Sequence, residues 1–273
     1  MNTFKRRSLT GILFVLIVAG ALWLGQISFF FLFALIITGG LWEFFVITTK
    51  THSSLVKVLT IGMGLTVFTF TFLHASGRLA SSWLPLLFLG FFLLAIVNLF
   101  QKTKFPKDTF LLTSGILYIA GSLSTANYIV FSKASLVNLP YQFEMILSIF
   151  IIIWLNDTMA YIGGKWTGKH KLAPTISPKK TWEGTLTGFI FAALTSLVLS
   201  ELLFDLGIIH ALLLGGLISA AATTGDLLES ALKRDAGVKD SGSLLPGHGG
   251  ILDRFDAALF AIPVAFFYLE FLI

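Results

Sequence analysis

Residues 27–48 read ISFFFLFALIITGGLWEFFVIT, an apolar run in which Glu43 is the single charged residue. A helix needs about 20 consecutive apolar residues to cross the hydrocarbon core of a bilayer, and this run is long enough for one such helix. Eight further stretches meet the same requirement: 9–25, 55–75, 82–100, 109–131, 143–163, 183–204, 207–228 and 256–273. The sequence therefore predicts an all-α polytopic membrane protein with about nine transmembrane helices.

The composition supports this class of protein. Hydrophobic residues make up 56% of the chain and charged residues 12%, whereas soluble domains carry about 25% charged residues. There is no cysteine, which excludes disulfides, iron–sulfur clusters and thiolate metal sites and leaves metals that prefer oxygen ligands. Lys5, Arg6 and Arg7 precede an apolar run, as in a signal peptide, but no small-residue cleavage site follows. We therefore expect an uncleaved first helix.

The positive charges lie on alternate loops of the predicted spans. If the N-terminus is cytoplasmic, all but Arg78 and Lys133 of the 19 lysines and arginines fall on the cytoplasmic side. This asymmetry predicts a cytoplasmic N-terminus and a C-terminus on the opposite side of the membrane. Two cytoplasmic segments are long, 164–182 and 229–255. We expect two regions: transmembrane scaffold helices over 1–140 and a catalytic transmembrane region over 141–273.

A polar block, SALKRDAGVKDSGSLLPGHGGILDRFD, occupies residues 230–256 between two apolar stretches. Just ahead of it and at its start, Asp226, Glu229, Ser230 and Lys233 are spaced i, i+3, i+4, i+7. They share one helix face if the eighth helix continues to Lys233. Asp226 lies within an apolar run, where an acid is a functional candidate by default. For Glu229, a Glu–Lys pair at the helix end is an equally good interpretation.

Asp253 and Asp256 are three residues apart at the start of the last predicted helix. Acids are common there because the helix dipole favours negative charge. Gly249 and Gly250 precede them, however, and a glycine-rich loop lets backbone N–H groups approach an anion. Acids beside such a loop would repel the anion unless a cation bridges them, which favours Mg²⁺ ligation by Asp253 and Asp256.

The other long segment is rich in lysine, with Lys165, Lys169, Lys171, Lys179 and Lys180. Juxtamembrane lysines ordinarily serve topology and anionic lipid head groups, which accounts for Lys169 and Lys171. The run Ser177–Gly184, SPKKTWEG, is more specific because paired lysines stand directly before a helix. Pro178 fits the first turn of that helix, and a helix N-terminus with lysines is a phosphate site.

Three further features have weaker interpretations. Residues 163–170, GGKWTGKH, nearly form a phosphate-binding P-loop, but His170 stands where Ser or Thr must hold Mg²⁺, and a membrane helix precedes it instead of a strand. Asp157, inside the sixth predicted helix, faces either the helix bundle or the site. Glu43 could be equally buried, but nothing near it in sequence suggests chemistry.

The polar block also resembles a known signature. The pattern Ser230-x-Leu232-Lys233-Arg234, then Lys239-Asp240-x-Gly242, then Pro246-x-His248-Gly249-Gly250-Ile251-x-Asp253-Arg254-Phe255-Asp256 is similar to that of the phosphatidate cytidylyltransferase (CDP-diacylglycerol synthase) family. The Ser177–Gly184 segment, the length and the multispan character resemble that family too. The resemblance implies transfer of CMP from CTP to phosphatidic acid, giving CDP-diacylglycerol and pyrophosphate, with Mg²⁺ required. It also implies a homodimer, and the inner or plasma membrane if the protein is bacterial.

The implied chemistry suggests a role for each charged residue. Two cations, the second divalent or monovalent, would offset the repulsion between the two phosphates. We expect Asp226 and Asp253 to be the principal metal ligands, Asp256 to be the next and Glu229 a further candidate. We expect four basic residues to bind the CTP phosphates: Lys233, Arg234, Lys239 and Arg254. Alternatively, Arg254 holds a carboxylate in place. His248 is a base or a phosphate donor. We expect Ser177, Lys179 and Lys180 to bind the lipid phosphate. Lys165 is a further substrate-binding candidate.

Three other functions compete with this interpretation. A CTP-dependent lipid-alcohol kinase has the same nucleotide and membrane architecture but transfers the γ-phosphoryl group. An ion-coupled transporter would use Asp157, Asp226 and Glu43 as a relay across the membrane. It predicts charges near mid-bilayer, whereas the charges here gather at one face. A non-catalytic lipid-binding scaffold would not need the pair Asp253 and Asp256.

Overall fold

All nine apolar stretches are helical in the structure, a computed structural model that describes residues 3–48, 54–100, 107–132, 141–242 and 249–272. The helices are α1 Thr3–Trp23, α2 Gln26–Thr48, α3 Ser54–Ala75, α4 Leu86–Leu99, α5 Lys107–Gly115, α6 Ser122–Val130, α7 Glu144–Thr167, α8 Trp182–Leu203, α9 Ile208–Asp235 and α10 Leu252–Phe271. A 3₁₀ turn, Ser81–Trp83, precedes α4, and a π-helical segment, Ile116–Gly121, joins α5 to α6. The all-α fold is confirmed.

Length and composition suit these helices to a bilayer. Within the described part of the chain, seven helical segments are long and apolar enough to cross a membrane, from Gln26–Thr48 through Ile208–Asp235. The apolar part of α1, Thr10–Trp23, is shorter. Helix α10 contains four charged residues: Asp253, Arg254, Asp256 and Glu270.

The chain forms two compact units. The first unit comprises Met1–Phe131 and Asp240–Arg254, and the second comprises Ser132–Lys239 and Phe255–Ile273. Whether function divides at residue 140 stays a prediction.

Aromatic side chains build the core of the first unit. Phe29 and Phe33, on α2, are fully buried, and their ring centroids are 4.4 Å apart. The ring of Phe33 stacks on that of Phe68, from α3, with centroids 6.1 Å apart. Buried rings contribute a large apolar area together with favourable offset and stacked contacts. This packing fixes α2 against α3.

Small residues bring the helices of the second unit together. A Cβ atom at Gly184, in α8, would lie 2.6 Å from the Ala160 carbonyl oxygen in α7. A Cβ atom at Gly188 would lie 2.8 Å from the Asn156 carbonyl oxygen, and one at Gly215, in α9, 2.6 Å from Ser196 Cβ. Glycines at such positions let backbones approach closely, as in other membrane helix pairs. The helices α7 and α8, and α8 and α9, are therefore closely packed.

A β-hairpin connects α7 to α8, where the sequence predicted only a loop. Strands β1 Lys171–Ala173 and β2 Ser177–Thr181 pair antiparallel. The expectation that Pro178 begins a helix is wrong, because Pro178 lies in β2. In a two-stranded hairpin a strand has a free edge, and there proline can dispense with a ladder hydrogen bond. Thr181 instead caps α8, accepting a 3.2 Å hydrogen bond from the Gly184 N–H.

Helix α9 continues past the predicted start of the second polar loop. It ends at Asp235, so the predicted loop start at 229 is wrong. The reason is a C-terminal cap at Gly237, whose φ of 72° suits glycine. Its N–H donates to the Arg234 carbonyl at 3.0 Å, and the Val238 N–H donates to the Lys233 carbonyl at 2.9 Å. The expectation that Asp226 and Lys233 lie on one continuous helix is thereby confirmed.

Candidate functional site

A polar pocket of about 380 Å³ lies within the second unit, where α7, β2 and α9 meet. The pocket is lined by Asn156, Asp157, Ala160, Tyr161, Gly164, Lys165, Lys179, Lys180, Thr181, Thr185, Thr223 and Asp226. Three predicted lysines and one predicted acid are thus brought together. Because lysines of the hairpin face an acid of α9, the pocket can bind phosphate and a cation side by side.

The pair Lys180 and Asp226 joins the two polar segments of the sequence. Lys180 Nζ lies 2.7 Å from Asp226 Oδ2, and the side chains are 26% and 35% exposed. Asp226 Oδ1 also accepts a 3.2 Å hydrogen bond from Ser230 Oγ, one turn later in α9. A partly exposed ion pair of this kind contributes little stability. Lys180 would therefore lose little free energy if it left Asp226 to bind a substrate phosphate.

Asp157 is a second acid in the pocket, a position that the sequence left open between bundle and site. Its Oδ1 accepts a 3.1 Å hydrogen bond from Asn156 Nδ2, and Asn156 Oδ1 accepts one of 2.6 Å from Ser219 Oγ. Asn156 and Ser219 are both buried. This chain of hydrogen bonds orients the Asp157 carboxylate toward the pocket. No local sequence signal could reveal it, because Ser219 is far from Asn156 in sequence.

Further acids surround the pair. The carboxylate of Asp256, in α10, interacts electrostatically with Asp226, Glu229 and Asp157. Glu229 is fully buried and forms an ion pair with Lys233, one turn away in α9. Glu229 thus forms the Glu–Lys pair that was one of its two interpretations from the sequence. Asp226, Glu229 and Asp256 thus bring further carboxylates close to Asp157, beside Lys180 and Lys233.

The donor chemistry of this cluster fits Mg²⁺. Within the described residues, no three His, Cys, Asp or Glu side chains converge closely enough to form a protein-only metal site. Mg²⁺ is usually held by one or two carboxylates together with substrate phosphates and water. Asp226 and Asp157, both in the pocket, supply carboxylates of that kind.

The start of α10, in the first unit, has a different arrangement. Asp253 Oδ2 accepts hydrogen bonds from the Ser241 N–H at 2.9 Å, from Ser241 Oγ at 2.9 Å and from the Gly250 N–H at 2.7 Å. Gly249 has a φ of 81°, and a Cβ there would overlap the Asp253 carboxylate. The Gly250 N–H is thus engaged within the protein. A phosphate role for Gly249 and Gly250 stays a prediction.

Glu43 contacts the same loop, whereas the sequence interpretation gave it a role only in the alternative transporter. Its carboxylate, in α2, accepts hydrogen bonds from Ser241 Oγ and from the N–H groups of Ile251 and Leu252. The available signal was the charge itself, since a lone acid in an apolar helix is costly and marks a functional candidate.

The remaining predicted residues lie elsewhere. Arg234 is exposed, and its guanidinium donates to the Val238 carbonyl at 3.1 Å. Lys239 and Arg254 are also exposed. Ser177 lies in β2 but does not line the pocket described above. His248 lies outside the described residues, and the substrate or catalytic roles of all these residues stay predictions.

The rejected P-loop motif has a structural role in the second unit. Gly163 and Gly164 lie inside α7, and a Cβ at either would collide with a threonine side chain, of Thr187 and Thr181 respectively. His170 Nδ1 lies 2.6 Å from Glu183 Oε1. These contacts hold α7 and the hairpin against α8, so the rejection is consistent with the fold.

Comparison with known proteins places the chain in a family. The sequence profile of the cytidylyltransferase family matches residues 5–272. This chain belongs to the cytidylyltransferase family. Together with the seven apolar segments, membership makes it an integral, multi-pass membrane protein.

Curated relatives match part of the chain closely. The phosphatidate cytidylyltransferase of Staphylococcus haemolyticus is 50% identical over 120 residues, which are 44% of this chain and 46% of the relative. That of Staphylococcus epidermidis is 51% identical over 121 residues, again 44% and 46%. The Escherichia coli protein YnbB is 47% identical over 116 residues, or 42% and 39%. The chain thus spans about half the length of the curated relatives it matches.

Proposed function

We propose that this cytidylyltransferase transfers CMP from CTP to phosphatidic acid, giving CDP-diacylglycerol and pyrophosphate. The observation that carries the proposal is the pocket that holds Lys165, Lys179 and Lys180 beside Asp157 and Asp226. Such a pocket suits two phosphates and a cation. The name phosphatidate cytidylyltransferase of two similar proteins supports the choice of lipid substrate.

In this reaction a phosphate oxygen of phosphatidic acid attacks the α-phosphorus of CTP. The bond between the α-phosphorus and the bridging oxygen breaks, and that oxygen leaves with pyrophosphate. Both reactants are anionic, so the protein must offset their repulsion and align them. Lys179 and Lys180 would receive one phosphate, and Lys180 would leave Asp226 to do so. The attacking phosphate is already ionised near pH 7, so no general base is obligatory.

The carboxylates are proposed to hold the cations. Bound Mg²⁺ would neutralise phosphate charge and stabilise the leaving pyrophosphate. We propose Asp226 as the principal ligand in the pocket, with Asp157, which lines the same pocket, as an additional ligand and Asp256 and Glu229 as further candidates. Asp253 keeps its predicted role, although a cation there would compete with the three hydrogen bonds that Oδ2 accepts. A second cation would be divalent or monovalent.

We further propose the topology implied by the positive charges. The pocket would lie at the cytoplasmic face, with the N-terminus on that side and the C-terminus opposite. The acyl chains of phosphatidic acid would remain in the bilayer, which in a bacterium would be the inner membrane. A homodimer is the proposed assembly.

The deciding experiment follows the label in CTP. Purified protein in detergent with phosphatidic acid, Mg²⁺ and CTP labelled at the α-phosphate is expected to yield labelled lipid and one pyrophosphate per lipid. Pyrophosphate release should depend on both Mg²⁺ and phosphatidic acid. If α-labelled CTP leaves the lipid unlabelled while CTP labelled at the γ-phosphate labels it, the proposal is overturned in favour of a lipid kinase.

A further inference from the structure

Glu43 is a buried acid with an unusual set of partners. Its side chain is 3% exposed, in a helix that is otherwise apolar over 27–48. Glu43 Oε1 accepts a 2.9 Å hydrogen bond from the Ile251 N–H, and Oε2 accepts hydrogen bonds of 2.8 Å from both the Leu252 N–H and Ser241 Oγ. A carboxylate in apolar surroundings is expensive unless such bonds satisfy it.

Ser241 links Glu43 to Asp253. Its hydroxyl oxygen lies 2.8 Å from Glu43 Oε2 and 2.9 Å from Asp253 Oδ2. A hydroxyl has one proton, so the two carboxylates share a single donor. The same oxygen accepts a 3.3 Å hydrogen bond from the Asp253 N–H. We call Glu43, Ser241 and Asp253 the carboxylate clasp.

The clasp leaves no space for larger residues around it. A Cβ at Gly250 would overlap the Glu43 carboxylate, and one at Gly242 would lie 2.5 Å from Glu43 Oε1. A Cβ at Gly39, one turn before Glu43, would overlap the side chain of Ile251. The loop backbone on both sides of residues 243–248 is therefore seated directly on α2.

Glu43 also caps α10 from a distant part of the chain. The N–H groups at a helix N-terminus lack partners within the helix, and a nearby carboxylate satisfies them and favours the dipole. Here Ile251 and Leu252 donate to a residue more than two hundred positions earlier. This cap holds the first turn of α10, which carries Asp253.

We propose that Glu43 is a positioning residue for nucleotidyl transfer, acting through the carboxylate clasp on Asp253 and on the start of α10. The inference rests on the proposed function. Glu43 touches no substrate in this proposal. A loosened clasp would displace Asp253, and displacements near 1 Å can cost about a hundredfold in rate.

Glu43→Gln tests the proposal with little change in shape. An amide nitrogen in place of either oxygen would face the Ile251 or the Leu252 N–H, donor against donor. We expect kcat for CDP-diacylglycerol formation to fall about a hundredfold. Hydrogen exchange of the peptide that contains residues 250–252 should accelerate. Glu43→Asp keeps the charge with a shorter reach and should recover about tenfold of the lost rate.

Asn127→Ala is the matched control for lost buried polar contacts. Asn127 is fully buried in the same unit, and its Nδ2 donates to Phe68 O at 3.2 Å and to Thr71 Oγ1 at 2.9 Å. It contacts no clasp residue in these hydrogen bonds. We expect a lower Tm, with kcat of the folded fraction within about twofold of wild type and unchanged exchange at 250–252.

Each outcome of these experiments bears on the proposal. If Glu43→Gln keeps wild-type kcat, or loses it only in proportion to unfolded protein as Asn127→Ala does, the positioning role is refuted. If Glu43→Gln does not fold, Ser241→Ala decides, since it removes the shared hydroxyl alone and should lower kcat about tenfold. An inactive wild-type enzyme would instead contradict the proposed function, while unchanged exchange at 250–252 would contradict the clasp.

Discussion

The pocket of the second unit and the clasp of the first hold their carboxylates in opposite ways. Asp226 is about one-third exposed and pairs with the side chain of one lysine, Lys180, which is 26% exposed. Glu43 is buried and is held mainly by backbone N–H groups, which cannot move away without bending the chain. An exposed ion pair is worth about 0–1 kcal/mol, whereas each hydrogen bond to a buried charge contributes about 1.5–3 kcal/mol.

The difference separates two tasks that acids perform in one protein. In the proposed reaction Lys180 exchanges Asp226 for a phosphate, so the ion pair should be easy to open. The clasp must keep one geometry throughout, so its bonds should be hard to break. Substitutions in the pocket are therefore expected to alter activity more than stability, and substitutions in the clasp to alter both.

Asp226→Asn provides the largest expected effect on activity alone. Removal of the charge proposed to hold a cation should lower kcat/KM about a thousandfold, as loss of a key electrostatic group does in other enzymes. The Tm in detergent should remain within about 2 °C of wild type, because the pair with Lys180 is partly exposed. Initial rates and thermal unfolding measure the two quantities. A large fall in Tm would contradict the expected difference between the pocket and the clasp, because Asp226 would then be needed for stability as well.

Asp253→Asn should reduce both activity and stability. An amide in place of Asp253 loses charge-assisted acceptance from Ser241 and Gly250, which we expect to cost about 2 kcal/mol and to lower Tm by about 5 °C. Activity should fall about a hundredfold. Asp240→Asn is the control, because Asp240 is exposed in the same unit and its loss should change neither quantity. Near-normal activity in Asp253→Asn would remove its metal role.

Lys180→Ala is expected to separate the two substrates. Loss of its ammonium should raise the KM for phosphatidic acid about tenfold and that for CTP less, as one charge-assisted contact suggests. Titration of each substrate at saturation of the other measures both constants. Lys169→Ala, which removes an exposed side chain outside the pocket lining, should leave both unchanged. A larger effect on CTP would move Lys180 to the nucleotide.

Asp157→Asn has the smallest expected effect. Asp157 is held by a neutral neighbour, Asn156, and we expect only a secondary contribution to cation binding. The Mg²⁺ concentration for half-maximal activity should rise about threefold to tenfold, with kcat at saturating Mg²⁺ nearly restored. Activity measured across a Mg²⁺ series tests this, with Thr158→Ala as a neighbouring control. An unchanged Mg²⁺ dependence would confine Asp157 to a structural role.

Local patterns in the sequence accounted for most of the helices and for part of the site. The length of each apolar run predicted α2 to α9, and the i, i+3, i+4, i+7 spacing placed Asp226 and Lys233 on one face because α9 is continuous. Pairings between distant segments were beyond these patterns. The pairing of β1 with β2 and the reach of Glu43 to Leu252 depend on tertiary packing. From the sequence, Glu43 was an isolated charge with a role only in the alternative transporter.

The helical rise of α9 determines how far Asp226 lies from the start of the helix. Its 28 residues make a rod about 42 Å long, measured at 1.5 Å per residue, against about 30 Å of hydrocarbon. A helix that enters the hydrocarbon at Ile208 reaches Asp226 after about 27 Å, close to the opposite edge of the core, beyond which the lipid phosphates lie. A phosphate-bearing lipid could then be processed without being lifted out of its own leaflet.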